Sequence, residues 1–304
     1  MNYAALIEKL LIFLVLMLVG YISARKGILD RSFTKAASSL VLNVFMTCAI
    51  LNSVLTVDLS LSAAQLGNVL LTLCVMQLLG YVIAALVARF TPIEAERKPG
   101  FELLMAAGNN MFIALPLVDG LFGPVAVFYV SLSCLPFNVL IYTYGVWRMK
   151  KSGGKLRIRD IFSIPLLATL LSLLIFLLHI PVPQILRSLI SSTAGASMPM
   201  SMVVIGASLG TVSLLDAFRN RWLYLVSAVR LLAIPLLTWL VCGLLTSDPI
   251  LLMTAVVIAG CPSAILVTIF SVQYGRDPVF TAEGTLQNTA LSLLTLPLLL
   301  WLLG

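Results

Sequence analysis

The chain has 304 residues, of which 61% are hydrophobic and only 10% are charged. A soluble domain carries about 25% charged residues, so a globule of this composition could not cover its own surface; the chain reads as an integral membrane protein. The net charge of +7 then points to short basic cytoplasmic loops and gives no reason to expect nucleic acid as a partner.

An apolar helix of about 20 residues crosses the hydrocarbon once. Charged and Gly/Pro-rich punctuation divides the chain into ten such spans, roughly 4–24, 36–57, 64–88, 101–118, 124–147, 161–180, 184–210, 220–245, 249–272 and 279–303. The runs are continuously apolar rather than alternating, unlike the strands of a transmembrane barrel. No polar stretch is long enough for a soluble catalytic domain. Arg25 and Lys26 follow the first apolar run instead of preceding it, the order of a retained helix rather than a cleaved signal peptide.

Loop charge orients these spans. Arg25, Lys26, Arg31 and Lys35 follow span 1; Arg89, Arg97 and Lys98 follow span 3; Arg148 to Arg159 follow span 5; Arg219 and Arg221 follow span 7; Arg276 follows span 9. That places 16 of the 19 basic residues on one side, which the positive-inside rule makes cytoplasmic. Both termini are then expected on the periplasmic side. The basic segment 151–160 separates a first half, 1–150, from a second, 161–304. Five spans per half, an odd number, make the halves inverted repeats, an arrangement common in secondary transporters. A faint internal echo accompanies this: Gly108 and Gly123 in span 4 have the same spacing as Gly260 and Gly275 in span 9.

Polar interruptions mark the candidate site. In span 2, Thr47 lies with Asn43, Cys48, Asn52 and Ser53; in span 7, Pro199 follows a serine-rich stretch from Ser188. Small residues of this kind either pack helices closely or line a cavity. Asn109 and Asn110 stand in the middle of span 4, followed by Met111 and Pro116. An amide without a partner in hydrocarbon costs several kcal/mol, on the order of 2–7, so the pair either glues helices together or lines an unwound binding segment. Span 9 carries Gly260, Cys261, Pro262 and Ser263, where the proline interrupts the helix. Two discontinuous helices crossing near the midplane would aim positive helix N-termini at an anion.

Arg230 falls near mid-depth of span 8, either clamped by a structural partner or attracting a substrate anion. Glu102 and Glu283, in the first turns of spans 4 and 10, are candidates for coupling or charge compensation, as are Gln287 and Asn288 farther along span 10. The five cysteines lie in apolar runs without a CxxC and read as small buried hydrophobes. His179, beside a Pro-rich turn, has no catalytic or metal-binding companions in sequence. Neither an enzyme nor a cofactor is expected.

GNNMFIALPLVDGLFG at 108–123, GASMPMSMVVIGASLG at 195–210, AGCPSAILVTIFSVQYGRD at 259–277 and SLLTLPL at 292–298 together resemble the auxin efflux carrier family, particularly its short bacterial members. The resemblance implies ten transmembrane helices in two inverted five-helix repeats with crossed, broken helices 4 and 9, similar to bile-acid:sodium symporters and sodium/proton antiporters. It implies a homodimeric elevator carrier in the inner membrane, surrounded by lipid and moving a small organic anion. The substrate-facing asparagine of the family maps onto Asn109 or Asn110, and the second crossover proline onto Pro262. A proline common in the second helix is replaced here by Thr47, whereas its symmetry partner is kept as Pro199. The long hydrophilic loop of plant carriers is absent, which favours a carboxylate such as malonate or malate over auxin. The expected function is secondary transport by alternating access, with proton or sodium coupling open; a passive anion channel or uniporter is the alternative, and a membrane-embedded enzyme ranks below both.

Overall fold

The computed structural model describes residues 3–56, 62–150, 164–178, 180–210 and 217–303. The basic segment 151–160, Asp58 and His179 lie outside the described residues. In chain order the helices are α1 (Tyr3–Arg25), α2 (Arg31–Leu40), α3 (Met46–Thr56), α4 (Ala63–Phe90), α5 (Lys98–Ala106), α6 (Leu115–Phe122), α7 (Pro124–Leu140) and α8 (Val146–Met149). They continue as α9 (Ile164–Leu178), α10 (Gln184–Ala194), α11 (Ser197–Gly210), α12 (Arg221–Ala228), α13 (Ile234–Gly243), α14 (Pro249–Gly260), α15 (Ile265–Gln273) and α16 (Pro278–Leu303). Among the described residues there is no β-strand, and one isolated bridge joins Gly108 to Ser263.

Local chemistry sets many of the boundaries. Asp30 caps α2 through the Phe33 N–H at 2.7 Å, and Asp248 caps α14 through Ile250 and Leu251, each supplying an acceptor that the first turn lacks. Pro249 and Pro278 stand at helix starts, where a missing N–H removes no bond. Three wide π-helical turns, Val41–Phe45, Ile141–Gly145 and Val229–Ala233, join helical segments end to end, and a fourth, Asn110–Ala114, opens the segment that continues as α6. Two of them directly precede Pro116 and Pro235 in the next helix. A proline ring crowds the carbonyl four residues earlier and cannot donate to it, which favours the wider turn.

Six helical stretches are long and apolar enough to cross a membrane: Ser32–Leu55, Ala64–Phe90, Pro124–Met149, Gln184–Ala207, Arg221–Gly243 and Pro278–Leu303. Shorter apolar helices occupy Leu11–Arg25, Asn110–Phe122, Ile164–Leu178 and Pro249–Gly260. The chain is thus an all-helical, multi-pass membrane protein. It forms two compact units. The first comprises Met1–Leu66, Met111–Cys134 and Phe162–Val212; the second comprises Gly67–Asn110, Leu135–Ile161 and Ser213–Gly304. Each unit draws segments from both sides of the basic segment, and the chain passes from one unit to the other between Asn110 and Met111.

Within the first unit, α1 packs along α11. A Cβ on Gly20 would collide with the Val203 backbone, and one on Gly206 with the Met17 backbone; on Gly210 it would come within 2.9 Å of Tyr21 O. Gly206 and Gly210 are four residues apart, so they share a face and let the two backbones approach as small residues do between helices in lipid. Ala37, Val41, Met46 and Val204 form a buried apolar cluster in this unit, with Met111 and Phe112 packed against it.

Candidate functional site

The second unit contains the crossing of two broken helices. α5 stops at Ala106 and α14 at Gly260, and both cap residues, Ala107 and Cys261, are extended. Pro262 explains the second stop, because a residue before proline is driven out of the helical region. The two extended segments then pair antiparallel: the Asn109 N–H donates to Pro262 O at 2.8 Å, and the Ala264 N–H donates to Ala107 O at 2.9 Å. Across the crossing Gly108 lies opposite Ser263. Gly123 and Gly275 both adopt positive φ, 76° and 63°, where glycine avoids the penalty of a Cβ.

A helix that ends inside a protein leaves its last four carbonyls without partners. At this crossing they are satisfied largely by side chains. Arg230, carried by the π-helical turn before α13 and only 3% exposed, reaches both broken ends. Its Nε donates to Cys261 O at 2.7 Å and one terminal nitrogen donates to Ile258 O at 3.0 Å; the other donates to Met105 O and Ala106 O at 3.3 and 3.2 Å. These four bonds clamp the arginine to backbone carbonyls. Gly108 makes room for it, because a Cβ there would overlap the guanidinium.

A second polar chain runs alongside. Ser263 Oγ donates to Leu104 O and accepts from Asn288 Nδ2, while Asn288 Oδ1 accepts from Ser227 Oγ at 2.6 Å. Ser227, Ser263 and Asn288 are all buried, so these bonds tie α12 and α16 to the crossing. Ser227 had no distinctive signal in sequence; its position three residues before Arg230, on the same helix face, is the one clue. Asn110 differs from all of these. It is 4% exposed, and neither its Oδ1 nor its Nδ2 has a hydrogen-bond partner among the described residues. Gln287 is fully buried with both amide atoms likewise unpartnered. Gln77 on α4, buried with an unpartnered Nε2, joins this class and was missed in sequence, although it is a lone amide in an otherwise apolar stretch of span 3. Buried amides without partners are rare in folded proteins and call for an explanation such as water or ligand.

Glu102, in the first turns of span 4, is 1% exposed. It accepts from Arg148 Nε at 2.9 Å, from a terminal nitrogen of the same guanidinium, and from the Tyr144 hydroxyl. Arg148, counted in sequence as a loop charge, instead lies in α8 and binds that helix to α5. Nearby ends of the unit are joined by Arg97 to Asp277 at 2.8 Å and by Arg276 to Met149 O, Lys150 O and Glu96. Burial alone would raise the Asp277 carboxyl, but the Phe280 N–H and Arg97 outweigh it and hold the group below the ordinary carboxylate value. Glu283 is half-buried in the second turn of α16.

The structure brings together Asn109, Asn110, Gly260, Cys261, Pro262, Ser263, Arg230 and Asn288 in this unit. Met111, Pro116, Thr47 and Pro199 belong to the other unit. There the Thr47 hydroxyl donates to Leu42 O of its own helix at 3.3 Å. Pro199 stands in the first turn of α11, where the break at Gly195–Ala196 accommodates it. Asn52, Ser188, Ser191 and Ser192, with Gln184 and Arg187, line an open polar cavity of about 450 Å³. Among the described residues no group of three or more His, Cys, Asp or Glu side chains could hold a metal ion.

A family described as membrane transport protein matches residues 5–164 and 153–300. The chain belongs to this family, that of the auxin efflux carriers. Over 298 residues it is 28% identical to an uncharacterized transporter of Methanothermobacter thermautotrophicus, covering 96% of each chain. An uncharacterized transporter of Methanocaldococcus jannaschii is 25% identical over 308 residues, covering 97% of this chain and 98% of its own. The protein is a membrane transporter, and neither relative's name states a cargo.

Proposed function

We propose that the protein is a secondary transporter that moves a small organic anion, a carboxylate or dicarboxylate such as malonate or malate, by alternating access across the bacterial inner membrane. In this reading all ten apolar segments span the bilayer as two inverted five-helix repeats, with both termini periplasmic. The site is the helix crossing, and Asn110 carries the argument: a buried amide with both polar atoms unpartnered at the start of an outgoing half-helix. The Arg230 clamp supports the polarity of the site. It engages the carbonyl ends of the incoming half-helices, whereas the outgoing half-helix of the same unit, α15, presents N–H groups and a positive dipole end to an anion. Asn109, whose backbone N–H is bonded across the crossing, sets the position of its neighbour.

The test is uptake into liposomes containing the purified protein, with radiolabelled malonate, malate and an aromatic carboxylate, under separately imposed proton, sodium and voltage gradients. Saturable uptake with accumulation against a gradient is expected for at least one acid. Asn110→Leu is expected to abolish it while leaving the thermal midpoint unchanged or raised, because the lost amide has no partner to leave behind. Flux that does not saturate and never runs uphill would replace the carrier with an anion channel. No flux of any acid under any gradient would sink the reading.

A further inference from the structure

Arg230 is not arranged as a substrate ligand. A guanidinium has five N–H donors, and four hydrogen bonds already run from it to backbone carbonyls. Among the described residues no carboxylate pairs with it. A buried arginine without an anionic partner still needs a compensating negative field, and the crossing supplies one of the right size. Each helix C-terminus carries roughly −0.5 elementary charge. α5 and α14 both end at this guanidinium, so their two ends together offset about one positive charge.

The four oxygens come from two different helices and converge on one group that is 3% exposed. Converging backbone carbonyls at half-helix C-termini are also how transporters hold monovalent cations. The chain places a covalently attached cation at that position instead, and the absence of a Cβ on Gly108 is what gives it space.

We infer that Arg230 is a resident cation of the crossing: it holds the two carbonyl ends together in place of a bound ion, and its removal uncovers a four-carbonyl site that accepts a free guanidinium or an alkali cation. This goes beyond the transport reading and does not depend on the cargo, because its test reads stability and not flux. Arg230 is a positioning residue in this account, acting through the carbonyl ends of α5 and α14.

Thermal unfolding of the full-length protein in detergent would be followed in choline, sodium, potassium and guanidinium chloride, at equal ionic strength and at millimolar concentrations far below denaturing ones. The wild type is expected to melt at one temperature in all four salts. Arg230→Ala is expected to melt about 10 °C lower in choline and to regain part of that loss selectively in guanidinium, sodium or potassium. A variant indifferent to the salt would overturn the inference, as would wild-type stability in Arg230→Met. If Arg230→Ala yields no folded protein, Gly108→Ala decides the matter. Its added Cβ should lower the midpoint strongly beside the wild-type guanidinium and by less than half as much in Arg230→Lys, whose slimmer ammonium leaves room. Equal losses in the two backgrounds would refute the proposed packing of the cation.

Discussion

The pair formed by Glu102 and Arg148 permits a prediction in which the two partners are unequal. The Glu102 side chain is 2% exposed, whereas that of Arg148 is 26% exposed. Arg148→Ala therefore strands a carboxylate inside the second unit with the Tyr144 hydroxyl as its remaining donor. Breaking a buried ion pair from one side is worth about 3–5 kcal/mol, and the partial exposure of the arginine places this case near the lower end, at about 3 kcal/mol. Glu102→Gln keeps the volume and the acceptor toward Tyr144. It leaves a guanidinium that water can reach, at a cost of about 1 kcal/mol. Each kcal/mol moves the midpoint of a chain somewhat shorter than this one by about 2–4 °C, so the expected losses are roughly 6–12 °C and about 3 °C. Tryptophan fluorescence during thermal unfolding reads both, and Trp147, its ring centroid 5.8 Å from the Arg148 guanidinium carbon, reports locally. The double variant should be more stable than Arg148→Ala alone, because it removes the stranded charge. Equal losses for the two single variants, or simple addition in the double, would show that Glu102 is not held as a buried anion.

Two further outcomes follow from other contacts. Asp277 is held below its ordinary value of 3.8 in the folded chain, so its contribution to stability is complete above that value and is lost as pH falls through the lower folded value. Between about pH 5 and about pH 2, the thermal midpoint of the wild type should fall more than that of Asp277→Asn; parallel curves would count against the Arg97 and Phe280 contacts. In the first unit, Gly206→Ala drives a methyl into the Met17 backbone and should destabilise by about 1–3 kcal/mol. Gly67→Ala in α4, with no atom within 4 Å of the new methyl, should instead stabilise by about 0.5–1 kcal/mol. Thermal melts of the two variants side by side check the contrast.

The apolar runs disclosed the helices because in lipid every backbone polar group must be satisfied within its own segment. Sequence therefore fixes the membrane setting and the order of helices almost without tertiary information. Pro262 likewise announced its break, since the restriction on Cys261 acts on the neighbouring residue alone. The stop at Ala107 had no such local cause. It rests on bonds to Pro262 O and from Ala264 N, partners about 155 residues away.

Charge was the least legible property. Arg148 read as a loop charge and Glu102 as a candidate for coupling, and Arg230 read equally well as held by a structural partner or as attracting a substrate anion. A charged side chain in a membrane protein is defined by what faces it, and its partners here are 46 residues away for Arg148 and 28 to 125 residues away for Arg230. Local sequence determined that the chain is a multi-pass helical protein and where its helices weaken. Only the tertiary structure decided which polar groups are satisfied by the protein itself and which, like the Asn110 amide, are left for something else, because hydrogen bonds and ion pairs form between segments that the sequence keeps far apart.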